Sequence, residues 1–409
     1  MMRSAVWLAL LASCAVGNLA VAADVPLPAT CQTQWPLEDA AESVAALKQR
    51  IETVGETDPL EAVRIMCATI PRVVAEYGAD SLEIAWWTQS LATPLIAYLE
   101  KFAEARALLE FAEPLLQRHL GADAPEIAEL HVANAWMAFR EGRLARAADE
   151  WRAALRIREL VPGARQIELQ KILVGLAQVE LSQRNFQSAR QLLERAQRIL
   201  AANNESVSEA AAAIENALAN VALREERFAT ARQHAEALLA IERQLPHGPA
   251  QLVPAYVLLG RTLQQLDEFV EAENAAREAV RLAESNDGPL QRHQLAALTQ
   301  LASLLNARGK PREALPFAVR ALTVGEAELG AAAPALVGVI DNVAAVHRAL
   351  GELPAALGYY ERSAAIIESQ RADVPRQVLA GHYRGLGSVL AGVGELAAAD
   401  AAFAKALAV

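Results

Sequence analysis

Metal binding, nucleophilic catalysis and proton transfer would have to come from seven histidines, three cysteines and one adjacent pair of glutamates. A metal site needs its ligands at short, regular spacing. His119, His131, His234, His247, His293, His347 and His382 are scattered, and no cysteine lies close to them in the chain. His347 takes the position that Leu263, Leu305 and Leu390 hold in related segments, which reads as a partly buried, hydrogen-bonded ring. Glu225 and Glu226 fall at a helix turn, where solvated charge is the default and nothing suggests the pocket that acid–base chemistry needs. Gly385, Leu386 and Gly387 superficially resemble a phosphate loop, but they interrupt a helical pattern, so Gly387 reads as a small packing residue. There is no metalloprotease helix, nucleophile elbow or Cys-x-x-Cys pair. The chemistry on offer is recognition, and the chain is expected to be no enzyme and to need no metal or cofactor.

The elements that must carry such recognition are plainest in residues 254–283. Leu259, Leu263 and Leu266 fall at i, i+4 and i+7 on one helical face, beside Gly260, which admits a close neighbour. A second helix follows a tight turn and carries a stripe of small residues, Ala272, Ala276 and Ala279. The apolar residue that opens this second helix recurs as Phe102, Leu144, Phe186, Phe228, Phe269, Pro311, Leu353 and Leu396, at spacings of 41 to 43 residues. Three residues later an alanine stands each time: Ala105, Ala147, Ala189, Ala231, Ala272, Ala314, Ala356 and Ala399.

Leu-Gly in the first helix, an aromatic at the turn and alanines at these offsets resemble the tetratricopeptide repeat, whose usual period is about 34 residues. Eight extra residues are about two helical turns, so lengthening each helix by one turn keeps the packing faces in register. This longer form resembles the repeat of kinesin light chains and of many bacterial proteins of that type. Residues 119–125, residues 340–344 and Gly351 support it. The resemblance implies an all-α fold, a right-handed α-solenoid superhelix of helix-turn-helix units, with about eight repeats over residues 80–409. It also implies that first helices line a concave groove with the side chains 15, 12, 8, 5 and 4 residues before each opening residue. Those offsets select Trp136, Phe139 and Arg140; Asn216, Asn220 and Arg224; and Arg261, Gln264 and Gln265. Further along they select Thr299, Ser303, Asn306, Asp341, Arg348, Arg384 and Ser388. The five arginines, interleaved with Asn and Gln, would clamp carbonyls and carboxylates of an extended peptide, with Trp136 and Phe139 as an apolar anchor. A solvated inner face with arginines paired to glutamates is the alternative.

Length and charge agree with this. A chain of 409 residues exceeds one compact core, a limit that stacked repeats avoid. A net charge of −11 argues against a sequence-independent grip on nucleic acid. Residues 1–22 have the parts of a secretory signal: Arg3, an apolar run, and Ala20, Val21 and Ala22 as a cleavage site. A rival reading takes Leu11, Ala12, Ser13 and Cys14 as a lipobox with Cys14 acylated, and an uncleaved membrane anchor is a further alternative. In an oxidising compartment Cys31 and Cys67 could pair; otherwise Cys67 is a small core residue. Residues 23–36, with three prolines, read as an extended linker. Residues 37–79 read as a divergent helical pair capping the array, its second helix starting at Asp58 and Pro59. Pro94 and Pro316 fall inside helical patterns and are candidate bends. Phe403, Leu407 and Val409 would leave an uncovered apolar end. The expected function is a scaffold or adaptor, exported to the periplasm or secreted, that binds a protein or an extended, acidic peptide. The alternatives are a lipid-anchored structural component of an envelope assembly, or an enzyme using groove residues.

Overall fold

The computed structural model describes residues 25–31, 42–160, 166–246, 248–284, 291–371 and 374–409. The expected signal, Cys14, residues 37–41 and the turns at 162–163 and 286–289 lie outside them. The described residues form helices and turns without β-structure. The chain divides between Asn203 and Asn204 into two compact units.

The first unit holds four helix pairs: α1 (Val44–Thr57) with α2 (Pro59–Tyr77), α3 (Leu82–Ala97) with α4 (Phe102–Leu120), α5 (Pro125–Arg140) with α6 (Leu144–Leu160), and α7 (Gln166–Ser182) with α8 (Phe186–Ala202). The second holds five: α9 (Glu209–Arg224) with α10 (Phe228–Glu242), α11 (Val253–Gln265) with α12 (Phe269–Glu284), α13 (Gln291–Ala307) with α14 (Pro311–Leu329), α15 (Val337–Ala349) with α16 (Leu353–Gln370), and α17 (Arg376–Gly392) with α18 (Leu396–Ala408). Each of the eight recurring opening residues is the first residue of a second helix, and each alanine three residues on is at most 2% exposed. A larger side chain there would wedge the pair apart.

Turn chemistry sets the helix starts. Ser43, Asp58, Ser81 and Ser208 cap first helices and α2 by accepting a backbone N–H three residues on, at 3.0–3.2 Å. Second helices from α4 onward follow a different device. The residue two before each opening residue is left-handed: Glu100, Gly142, Arg184, Glu226, Asp267, Gly309, Gly351 and Gly394. In seven of these turns the next N–H closes back on the carbonyl five residues earlier, as Arg227 does on Ala222 at 2.8 Å. The turn into α4 is one residue longer, with Lys101 bonded to Leu95 six residues back.

Within each unit, every second helix packs on the next first helix, and successive first helices also touch. In each unit taken by itself, first helices therefore share one face and form a common surface. The core of the first unit runs unbroken from Val25 to Val179. Cys31 and Cys67 are joined by a disulfide, which ties the segment before α1 onto α2, and Thr30 Oγ1 donates to Glu104 on α4 at 2.9 Å. Pro94 lies in the last turn of α3 and Pro316 in the second turn of α14; Pro71 and Pro114, which sequence reasoning passed over, lie inside α2 and α4.

Candidate functional site

First helices are positioned by what stands behind them. Trp151 of α6 is buried against Gly175 of α7, where a β-carbon would lie 2.3 Å from the indole. Trp151 also meets Trp136 of α5 with the two rings near perpendicular at 5.4 Å, and Phe139 meets Trp136 at 6.0 Å. Trp136 is thereby held with its free face toward a cavity of about 600 Å³ among α3, α5 and α7. From α3, Trp86, Thr93 and Ile96 line it; Val132 and Ala133 of α5 complete the apolar wall. Gln89, 8% exposed, donates to the Glu126 carbonyl at 3.0 Å and fixes α3 against the first turn of α5. Lys48 Nζ stands 3.6 Å over the Trp86 ring, a cation–π contact that steadies it. Charges sit around this wall: Glu126, Glu129, Arg140 and Lys171. Arg140 is paired with Glu100, and Glu129 with Arg158 at 2.5 Å.

The second unit carries two more depressions on its first-helix face. A cavity of about 290 Å³ among α9, α11 and α13 takes Asn216, Asn220, Arg261 and His293, with Val253, Pro254, Val257, Leu258 and Ala296 as its apolar wall. A wider one, about 580 Å³, lies among α13, α15 and α17 and takes Thr299, Ser303, Asp341, Arg348, Arg384 and Ser388. Under the wider one lies a buried polar network. Ser363 donates to Asp341 at 2.5 Å, and His382, fully buried, points Nδ1 at Asp341 Oδ1 (3.1 Å) and at Ser363 Oγ (3.0 Å). Serine and carboxylate meet the same imidazole nitrogen, so no proton relay runs through the ring. Tyr360 sits in the same network, where Gly385 leaves space for its hydroxyl. Burial and then the Asp341 charge push the Tyr360 phenol up to about 12, with Arg348 opposing.

The residues at the offsets are placed as follows. Those 15, 12 and 8 residues before the opening residue line the cavities in α5, α15 and α17: Glu129, Val132 and Trp136; Gly338, Asp341 and Ala345; Gly381, Arg384 and Ser388. The offsets of 5 and 4 are mixed. Arg140 and Arg348 line cavities; Phe139 meets Trp136 edge to face, Gln264 meets Gln300 at 3.5 Å, Gln265 and Arg224 are exposed beyond the cavity walls, and Asn306 Oδ1 is buried without a hydrogen-bond partner. In α3 most of the lining is shifted by one residue, to Trp86, Gln89, Thr93 and Ile96, because the turn into α4 is one residue longer. Lys171, at offset 15, was within reach of the same rule. Of the five arginines, Arg140 is paired and Arg261 donates to Asn220 Oδ1 at 2.6 Å; Arg348 reaches Ser388 at 3.3 Å and Arg384 the Ala380 carbonyl at 3.3 Å. His347 is half-buried, bonded to Glu352 at 2.6 Å and stacked on Tyr359.

Among the described residues no group of three or more His, Cys, Asp or Glu could hold a metal ion, and no helix is long and apolar enough to cross a membrane. A family model described as tetratricopeptide repeat matches residues 293–369. No curated protein matches the sequence. Among solved structures, the chain is similar to a signal transduction ATPase with numerous domains, with a tetratricopeptide repeat sensor, from Pyrococcus horikoshii: 12% identity, TM-score 0.59, 88% of this chain and 51% of that one. The chain thus spans about half that protein's length. Apo RapI is 13% identical with a TM-score of 0.54, over 70% of this chain and 99% of that one. A Rap protein complexed with Competence and Sporulation Factor is 15% identical with a TM-score of 0.51, over 85% and 97%. With the alanine-packed pairs and left-handed turns above, these likenesses show the fold: an all-α array of tandem helix pairs of the tetratricopeptide-like kind.

Proposed function

We propose that the chain is an exported, non-catalytic scaffold whose 42-residue repeats are of the kinesin-light-chain type, and that it holds an extended protein or peptide segment on its first-helix face. One observation carries this reading: the cavity among α3, α5 and α7 presents two braced indoles and an aliphatic wall, ringed by charge. Rigid aromatic walls in a desolvated pocket supply most of the energy of typical interfaces. The arginines and amides of the second unit's cavities suit carbonyls and acidic side chains of such a segment. The Rap protein of similar fold is complexed with a factor of its own, which supports a partner-binding use of this architecture.

Export draws support from the signal-like residues 1–22 and from the Cys31–Cys67 disulfide, since such bonds persist in oxidising compartments. Mass spectrometry of the N-terminus separates a soluble scaffold from an envelope component acylated at Cys14.

Capture of partners by the mature chain tests the proposal against two folded variants, Val132→Glu and Arg348→Glu with Arg384→Glu. One protein captured by the parent and lost from both variants supports it. Unchanged capture by both sinks it.

A further inference from the structure

Acids accompany the arginines of two of the cavities on the first-helix faces. Arg140 is paired with Glu100, and Asp341 shares the wall of the wider cavity with Arg348 and Arg384. The cavity of about 290 Å³ among α9, α11 and α13 differs. Arg261 of α11 lines it, but among the described residues no carboxylate does, and Arg261 has no ion-pair partner. Much of the remaining wall is hydrocarbon. Val253 and Leu258 are buried, Val257 is half-buried, and Pro254 and Ala296 complete a side without polar side chains.

A chain of amides places the Arg261 head. Asn220 donates to Asn216, to the carbonyl at 2.8 Å and to Oδ1 at 3.0 Å, which leaves its own Oδ1 to accept from Arg261 at 2.6 Å. That bond uses a single N–H of the guanidinium, and a carboxylate can accept from the others bidentately. His293 of α13 lines the same cavity, and its Nδ1 is buried without a hydrogen-bond partner. When it carries the proton, Nδ1 is a further donor to a carboxylate.

We propose that this cavity binds an aliphatic monocarboxylate, its head on Arg261 and its alkyl body on the wall of Val253, Val257 and Leu258. One cation without an acid is neutralised by one negative charge, which a main-chain carbonyl does not supply. A dianion would bring a second charge to a wall that holds no second arginine or lysine. A wholly apolar ligand would cover the guanidinium and leave it without a partner. At about 290 Å³ the hollow stands at the small end of ligand pockets, which suits a short alkyl chain. The site rests on the proposed function only in that its ligand enters from the first-helix face.

Ligand-detected nuclear magnetic resonance titration of the mature chain with sodium isovalerate, sodium acetate, isoamyl alcohol and isoamylamine, at constant ionic strength, tests this. Each methylene buried on the wall is worth about fourfold, so acetate, which lacks the body, is expected to bind at least about tenfold more weakly than isovalerate. Isoamyl alcohol and isoamylamine carry the body without the negative head, and both are expected to be at least about tenfold weaker too. Arg261→Gln should weaken isovalerate by about tenfold or more, and Val257→Ser severalfold, while Arg281→Gln on α12 leaves it unchanged. Arg261 is exposed and Val257 half-buried, and circular dichroism checks that the variants fold. An N-acetyl-leucine arm separates sources: tighter binding than isovalerate marks the last residue of a peptide, and weaker binding a free acid. No saturable binding of isovalerate, acetate or isoamyl alcohol equal to it, or a folded Arg261→Gln that binds it as the parent does would each overturn the site. Isovalerate binding intact with no partner on the groove refutes the scaffold reading alone; the reverse refutes the carboxylate site alone.

Discussion

Replacing Gly175 by alanine should destabilise the protein, although alanine ordinarily gains about 1 kcal/mol over glycine inside a helix. A β-carbon at Gly175 would stand 2.3 Å from Cζ2 and 2.5 Å from Cε2 of Trp151. Carbon atoms rest about 3.5–4.0 Å apart, so the indole must retreat by more than about 1 Å. It has nowhere to go: Trp151 is 1% exposed and already meets Trp136 edge-on. Overpacking of this kind costs about 1–3 kcal/mol. The displacement also reaches Trp136, and so the wall of the cavity among α3, α5 and α7. Urea unfolding followed by far- and near-ultraviolet circular dichroism measures both effects. Whole curves must be compared, because repeat arrays can unfold in steps. Two controls isolate the cause. Trp151→Phe combined with Gly175→Ala should recover about 1 kcal/mol relative to the sum of the single changes. Gly381→Ala, where a β-carbon meets nothing within 4 Å, should instead stabilise by about 0.5–1 kcal/mol. Gly175→Ala as stable as the parent, with an unchanged near-ultraviolet spectrum, would refute the reasoning.

The remaining predictions concern turns, the disulfide and acid. Glu226→Gly relieves a left-handed residue (φ 58°) and should raise stability by about 0.5–1 kcal/mol in urea titration, whereas Gly309→Ala (φ 72°) should lower it by about 1 kcal/mol. Cys31→Ser opens a loop spanning 36 residues and should cost about 3–4 kcal/mol against the oxidised parent, a difference that vanishes when both are reduced. Desolvation tends to raise the Glu273 carboxyl, but hydrogen bonds from Arg277 and Lys310 outweigh it and hold the group below the usual carboxylate range. A depressed folded-state value means that its stabilisation is present above the unfolded value near about 4.3 and is lost as pH falls through the folded one. Glu273→Gln should therefore flatten the acid limb of the stability–pH curve below about pH 5, as read by thermal melts.

The period and the helix starts were legible because they rest on local chemistry: an opening apolar residue, an alanine three on, a turn two before. Sequence reasoning named no residue of the α3 lining; most of it, Trp86, Gln89, Thr93 and Ile96, stands one residue off the offsets counted from Phe102, since the Lys101–Leu95 closure adds a residue that no turn signal marks. Phe139 meets Trp136 edge to face and does not line the cavity among α3, α5 and α7, and the Trp151 contact that holds Trp136 comes from the next helix, which local pattern does not show. The network of Asp341, Ser363 and His382 joins three helices 19 to 41 residues apart, beyond any local pattern.

A photo-crosslinking residue placed in turn at Val132 and Ser303 on first helices, and at Gln191 and Val319 on second helices, tests the central claim most directly. With the native partner present, the account predicts adducts of one protein at Val132 and Ser303. Adducts confined to Gln191 and Val319 would contradict it.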